Sequence, residues 1–301
     1  MVKVACVGIA VQDRIYYLDK MPHAGGGKFV AHHYREVGGG PAATAAVAVA
    51  KLGAEVDFIG RLGDDNIGSA IISELSSYQV NPSKIKIYRD AKSSQSSIFV
   101  DNSGERVIVN YPSPNLLEHT NWLEEIDFRQ YDLVLCDVRW HAGAEYCLQQ
   151  AKKYGIPTVL DADVTPQNIK PLAKLADHVV FSAPGLEKMT NEKDLNKALM
   201  LAKQVCAGTV YVTKGSEGCD WIVSNIQYSY KGFEVKVVDT TGAGDVFHGA
   251  FAYAIANKYP IEKAVIFANA VAALKCTAEG GRDGIPSLQE VENFMLLHAN
   301  R

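Results

Sequence analysis

Asp239-Thr240-Thr241-Gly242-Ala243-Gly244-Asp245-Val246-Phe247-His248-Gly249-Ala250-Phe251 is the stretch around which the chain is organised. An apolar, strand-like run (Val235, Val237, Val238) feeds into it, and a long apolar helical pattern leaves it. Gly242 and Gly244 permit a tight turn with positive φ and keep Cβ atoms away from a ligand. The spacing predicts that the backbone N–H groups of Gly242, Ala243 and Gly244, with the positive end of a helix dipole, converge on one anion. Asp245 falls in the first helical turn, where the dipole tolerates its charge. A carboxylate beside a backbone anion hole suits phosphoryl transfer. The hole stabilises charge on the transferred oxygens, and the carboxylate takes the proton of the attacking hydroxyl. The plainer reading of Asp245 is a helix cap after a Gly-rich turn.

Outward from this stretch, short apolar strands alternate with helical patterns. The strands are Val2–Val7, Val56–Ile59, Leu133–Asp137, Thr158–Asp161, His178–Phe181, Val210–Thr213 and Gly218–Val223; the helices include Gly143–Tyr154, Pro166–Leu175 and Lys193–Val205. That order predicts an α/β fold with a doubly wound, mostly parallel sheet. Pro41 opens an Ala-rich helix that ends before Gly53, and Asp64 or Asp65 caps the next one. Two β patches interrupt the alternation, at 14–36 and 94–111. In the first, Arg14–Leu18 and Phe29–Tyr34 read as strands around Gly25-Gly26-Gly27; in the second, Asp101-Asn102-Ser103-Gly104 is a hairpin turn. They predict a small sheet standing off one 301-residue domain.

Composition narrows the function. The chain is 48% hydrophobic and 21% charged with a net charge of −4, so a large core is expected. No basic block marks a nucleic-acid or anionic-membrane surface. Six scattered cysteines without a C-x-x-C pair, and histidines without metal-ligand spacing, read as buried reduced thiols and no structural metal. The chain opens on a strand rather than a signal peptide, and no apolar run is long enough for a bilayer, so a cytoplasmic protein is expected. A P-loop is missing, and no G-x-G-x-x-G follows the first strand, which excludes P-loop kinases and Rossmann dehydrogenases.

Asp-Thr-Thr-Gly-Ala-Gly-Asp followed by an aromatic resembles the C-terminal signature of the ribokinase-like (PfkB) sugar kinases. Their N-terminal signature is similar to Gly38-Gly39-Gly40-Pro41-Ala42-Ala43-Thr44-Ala45, with Leu52-Gly53 and Gly60-Arg61-Leu62-Gly63-Asp64-Asp65 after it. The resemblance spans essentially the whole chain. It implies that Asp245 is the base and that ATP is the phosphoryl donor. Asp13, beyond the carboxyl end of the first strand where open sheets bind ligands, would hold sugar hydroxyls, with Gly39 and Gly40 presenting backbone to the sugar. Structural glycines are the alternative there. Lys214 and Gly215 would serve the nucleotide, and Gly281 would close over the adenine. The small sheet would be a lid excluding water, pairing two subunits into a homodimer. The family's Asn-x-x-Glu is absent: Ser182-Ala183-Pro184-Gly185 stands there, so no metal ligand is assigned, although Mg²⁺ is expected on the nucleotide.

Lys28, Asn110 and Arg139 bear on the substrate. Each alone reads as an ordinary surface residue; as a set they would suit a tetrahedral anion on the far end of a sugar. The set resembles the sulfonate-binding residues of the sulfofructose-phosphorylating branch of the family, implying transfer to the C1 hydroxyl of a 6-sulfonated ketose. Ketose 6-phosphates are the near alternative. A sugar-sensing protein without catalysis is the distant one, against which Asp245 with both glycines argues.

Overall fold

The computed structural model describes residues 1–23, 25–103 and 105–298. The chain starts with β1 (Lys3–Val7), moves out to β2 (Val11–Leu18) and β3 (His33–Gly39), and returns through α1 (Pro41–Lys51). It continues with β4 (Glu55–Gly63), α2 (Asn66–Ser77) and β5 (Ile85–Tyr88), then moves out again as β6 (Gln95–Asp101) and β7 (Arg106–Tyr111). Alternation follows: β8 (Leu133–Asp137), α3 (His141–Tyr154), β9 (Thr158–Ala162), α4 (Lys170–Ala173), β10 (His178–Ser182). Next come α5 (Ala183–Thr190), α6 (Leu195–Val205), β11 (Thr209–Thr213), β12 (Cys219–Val223) and β13 (Ile226–Tyr230). Three helices close the chain, α7 (Ala243–Ala256), α8 (Ile261–Lys275) and α9 (Leu288–His298).

The central sheet has nine strands in the order β13-β12-β11-β10-β9-β8-β1-β4-β5. It is parallel from β11 to β5, with β12 and β13 antiparallel at one edge. β8 and β9 near its middle are buried at every position, as parallel strands covered on both faces are. Val4 and Cys6 join the core under α1 and α7, and Ala5 and Val7 the core under α3. The chain leaves β1 toward β4 and β5, then restarts at β8 and builds the other way. Between β1 and β8 the strand order reverses, and a crevice opens at their carboxyl ends.

The second sheet is small and has the order β3-β2-β6-β7. Registers Asp13↔Val37, Asp13↔Ser96 and Ser96↔Asn110 place these residues in one row across it. Because side chains alternate, Asp13, Ile15, Tyr17, Arg35, Val37, Ile98 and Ile108 share the face toward the crevice. Tyr16, Tyr34 and Phe99 cluster on the opposite face.

Several expected elements are corrected. The second strand of the first patch begins at His33 rather than Phe29, and it runs on through the glycines to Gly39. Pro166–Leu175 folds as a loop with one short turn of helix at Lys170–Ala173, where Lys170 N–H donates to Asn168 Oδ1 at 3.1 Å. The run before Asp239 is not a strand. Val237 and Val238 are 58% and 50% exposed, and Val238 N–H donates to Cys276 O, so the segment has no ladder to join. Gly104, expected in the hairpin turn, lies outside the described residues. Asp65 is the cap of α2, accepting from Gly68 N–H.

The Ala-rich α1 lets α7 come unusually near. A Cβ on Gly249 would stand 2.5 Å from Ala45 O and 2.9 Å from Ala48 Cβ. In an open helix Gly→Ala stabilises by about 1 kcal/mol; here the sign should reverse. Gly249→Ala is expected to cost about 1–3 kcal/mol, measured by urea unfolding, and a gain would show that the two helices can part freely.

Candidate active site

A cleft of about 640 Å³ lies between the carboxyl ends of the central strands and the small sheet. Its floor carries Asp239–Gly242 and Asp245, its wall Gly38–Gly40, and its roof the inner face of the small sheet. Asp13 and Asp245 therefore face one space, although 232 residues apart in sequence.

Gly242 takes a left-handed φ of 72° and turns the chain into α7. Val246 N–H donates to Gly242 O at 2.9 Å, closing the first helical bond. The Ala243 amide, expected among the anion donors, is turned to Thr240 O at 3.1 Å. Gly244 and Asp245 come next in the first turn, where a helix provides no acceptor of its own. Nothing lies within 4 Å of a Cβ built on Gly244, so the approach to these amides is open. Burial, then the charge of Asp161, pushes Asp245 up to about 7, with His248 pulling the other way. A carboxylate raised that far is suited to taking a proton near neutral pH.

The glycine wall leaves room for neighbouring side chains. Gly38 and Gly39 are extended residues of β3, and each leaves room for a neighbouring side chain. A Cβ on Gly39 would stand 2.2 Å from Asp13 Oδ2, and one on Gly38 2.0 Å from Arg282 Nη1. Gly40, with φ 97°, caps α1 where a Cβ would stand 2.4 Å from Ile9 O. The glycines thus place Asp13 and Arg282. Burial raises the Asp13 carboxyl above its ordinary range, opposed by Ser96 and Arg282.

Arg282, 2% exposed, was not singled out from the sequence except as part of its loop. It donates to Gly39 O (2.7 Å), Glu74 Oε2 (3.1 Å) and Thr44 Oγ1 (3.3 Å). The neighbouring amides of Gly280 and Gly281 donate to Asp239 Oδ2 at 3.1 and 3.4 Å. Gly281 therefore lines the same cleft as Asp13 and Asp245. Lys275, fully buried, donates from Nζ to Asp239 O at 2.9 Å. Against the cost of burial, Thr241 N–H and Lys275 hold the Asp239 carboxyl below its usual range.

The carboxyl ends of β8 and β9 carry a second layer of acids. Asp137 Oδ2 accepts from Ile9 N–H (2.9 Å) and Ala42 N–H (3.2 Å), and its Oδ1 from Arg139 N–H (2.8 Å). Burial raises it to about 6, opposed by those N–H groups. Asp161 and Asp163 follow on β9 and just beyond it. Ser182 caps α5 through Gly185 N–H and donates to Asp163 Oδ1 at 2.7 Å, so the residues replacing Asn-x-x-Glu are tied to this layer. A usable signal was in the sequence: the strands Leu133–Asp137 and Thr158–Asp161 were both read as ending in an acid.

The expected anion set does not come together within one chain. Asn110 is on the inner row of the small sheet, accepting from Ser96 Oγ at 2.8 Å. Arg139 stands at the end of β8 with its guanidinium on Asp163 Oδ2 at 2.8 Å. Lys28 lines a different hollow with Tyr16, Leu18, Phe29 and Phe99, on the opposite face of the small sheet. Its strand-like context was misjudged, because β3 starts later than expected. Lys214 follows β11 and pairs with Asp220 at 2.8 Å, and Gly215 turns there with φ 59°. Trp140, next to Arg139, is buried under Trp122 and Arg61 rather than in the cleft.

A crevice at the strand-order reversal, a carboxylate at the head of a glycine-led helix and a small sheet as roof define a sugar-kinase architecture. The chain belongs to the pfkB family of carbohydrate kinases, which matches residues 1–288. It is 28% identical over 302 residues to the ribokinase of Bacillus subtilis, covering 98% of this chain and 100% of that protein. A candidate ribokinase of Agrobacterium tumefaciens superposes with a TM-score of 0.92 at 34% identity, over 100% of this chain and 99% of that one. The Arabidopsis thaliana ribokinase complexed with ribose and ATP shares the fold, with a TM-score of 0.87 and 23% identity over 98% of each chain.

Proposed function

We propose that this protein transfers the γ-phosphoryl group of ATP to a primary hydroxyl of a sugar, with Asp245 as the general base. The observation that carries the reading is Asp245 at the head of α7, in one cleft with Asp13. Asp13 orients the sugar, and Gly39 and Gly40 close on it. Asp245 takes the hydroxyl proton as the sugar oxygen bonds to the γ-phosphorus. The bond from that phosphorus to the β–γ bridging oxygen breaks, and ADP leaves. The Gly244 and Asp245 amides in the first turn of α7 stabilise charge on the transferred oxygens. The nucleotide lies toward Lys214, Gly215 and Gly281, entering as its Mg²⁺ complex, and the small sheet excludes water as a lid. The relative complexed with ribose and ATP supports this pairing of ligands. Free cysteines, five of the six buried, support a cytoplasmic setting; among the described residues no helix is long and apolar enough to cross a membrane. Asp245→Asn is expected to keep the fold and nucleotide binding and to lower kcat by roughly 10²–10⁴; turnover within a few-fold of the parent would sink the assignment.

The finer reading is a sulfofructose kinase, acting on the C1 hydroxyl of 6-deoxy-6-sulfofructose. It rests on the resemblance at Lys28, Asn110 and Arg139; fructose 6-phosphate and tagatose 6-phosphate are its near alternatives. A second reading, an uncharged sugar, is favoured by the lining of the cleft. Among the described residues, Arg35 and Arg282 are the arginines there and no lysine lines it, and Arg282 is engaged by Glu74. An ATP-consumption assay across ribose, fructose, fructose 6-phosphate and sulfofructose separates these readings. On the sulfonate reading, Arg139→Ala loses about ten- to a hundred-fold in kcat/KM for sulfofructose, the value of a charge-assisted hydrogen bond, and little for fructose. Equal losses on both sugars would make Arg139 structural.

Val107, Val109 and Tyr111 are exposed along the edge strand of the small sheet, and such an edge needs a cover. A homodimer paired through this sheet would supply one and bring Lys28 close to the partner. Light scattering at micromolar protein is expected to give twice the chain mass; a fully active monomer would count against the pairing.

A further inference from the structure

His248 lies one turn along α7 from Asp245 and is 3% exposed. Its Nδ1 stands 3.0 Å from Asp161 Oδ2, an ion-pair contact. Among the described residues neither ring nitrogen has a hydrogen-bond partner, and neither does Asp161 Oδ1. One side-chain polar atom each from Asp161, Asp245 and His248 lies within 4.8 Å of the other two. A histidine buried only for packing would have its nitrogens satisfied, because an unpaired buried polar group is costly. This one is held by charge instead.

The surroundings make that charge useful. Asp137 faces the cluster from the end of β8, and Asp161 and Asp163 from β9 and the residues after it. The helices packed on α7 add no acid here. The α1 face is alanine and Thr44, with Lys51 turned to the carbonyls of residues 282, 283 and 285. The buried face of α8 is apolar apart from Asn269 and Lys275, and Lys275 is turned to Asp239. Arg139 is taken by Asp163.

We propose that His248 is a positioning residue whose imidazolium, set against Asp161, keeps the Asp245 carboxylate ionised and able to accept the hydroxyl proton. The proposal rests on Asp245 being the base, and no bond is made or broken at His248. Electrostatics supports it in both directions. Burial works against a charged ring, but Asp161, then Asp245 and Asp163, hold His248 above its ordinary range. The same ring lowers Asp245 against the opposing push of burial and Asp161.

The test is the pH profile of kcat in His248→Gln. An opposite charge at this range shifts a carboxyl by about one to two units. Removing the imidazolium should raise the Asp245 pKa and move the acid limb to higher pH by that amount. Below the limb kcat falls about ten- to a hundred-fold; above it kcat returns to within about threefold of the parent, with KM for sugar and ATP unchanged. A loss equal at every pH, or an unmoved limb, overturns the proposal. Should the glutamine variant not fold, ¹⁵N NMR of the histidine-labelled parent decides. A doubly protonated His248 ring at pH 7 that becomes neutral in Asp161→Asn supports the proposal; a neutral ring in the parent overturns it. Failure of the underlying reading looks different. Asp245→Asn would then retain turnover, whatever the state of the His248 ring.

Discussion

Asp137 is a buried carboxylate with backbone N–H groups from three segments pointed at it: the exit of β1, the start of α1 and the exit of β8. The sheet reverses its strand order there, so the segments arrive from different directions and need a common anchor. Only an ionised carboxylate accepts from all of them, since an amide would set its own N–H₂ against a donor. The anchor dictates its neighbours. A Cβ on Gly8 would fall 2.0 Å from Asp137 Oδ2, so the turn after β1 must be glycine. The start of α1, fixed by Ala42 N–H, sets where Gly40 and Gly39 run, and Gly39 in turn leaves room for the Asp13 carboxylate. The Asp13 side of the cleft hangs from one acid that is not among the residues lining it.

The cleft is rich in acid for a protein that would bind a polyanionic nucleotide. Asp13, Asp239 and Asp245 line it, with Asp137, Asp161 and Asp163 behind. The cations are mostly committed: Arg282 to Glu74, Lys275 to Asp239, Arg139 to Asp163. On the proposed function, phosphate charge would be met by backbone N–H groups at a helix terminus rather than by these side chains. Preoriented amides need little reorganisation when charge moves during reaction, so a rigid turn at Gly242–Asp245 serves this better than a flexible lysine.

What the sequence disclosed follows from how local each signal is. The turn at 239–245 and the helix after it were legible because glycine and aspartate there have few other uses. The apolar strands were legible because a sheet covered on both faces leaves no alternation to misread. Val235–Val238 misled, since an apolar run lining a cleft has the composition of a strand but no ladder. Lys28 misled because its side of the small sheet depends on where β3 begins, a matter of register rather than composition. Asp161 and His248 are 87 residues apart in sequence, and only packing of α7 against β9 brings them into contact.

The roof of the cleft has a thermodynamic side. A sugar presents hydroxyls, yet much of the face above it is aliphatic, with Ile15, Ile98, Val100 and Ile108 over a floor of carboxylates. Ile108 is still open to water. Were the small sheet to settle on a sugar as the proposed lid, the part of that surface still open, Ile108 foremost, would leave solvent, and dehydrating it would lower the heat capacity of the system. Sugar binding would then grow more exothermic on warming, with the compensating entropy falling in step. A purely polar pocket of the same size would hold its enthalpy nearly level, so calorimetry at two temperatures distinguishes a roof that moves from one that merely stands by.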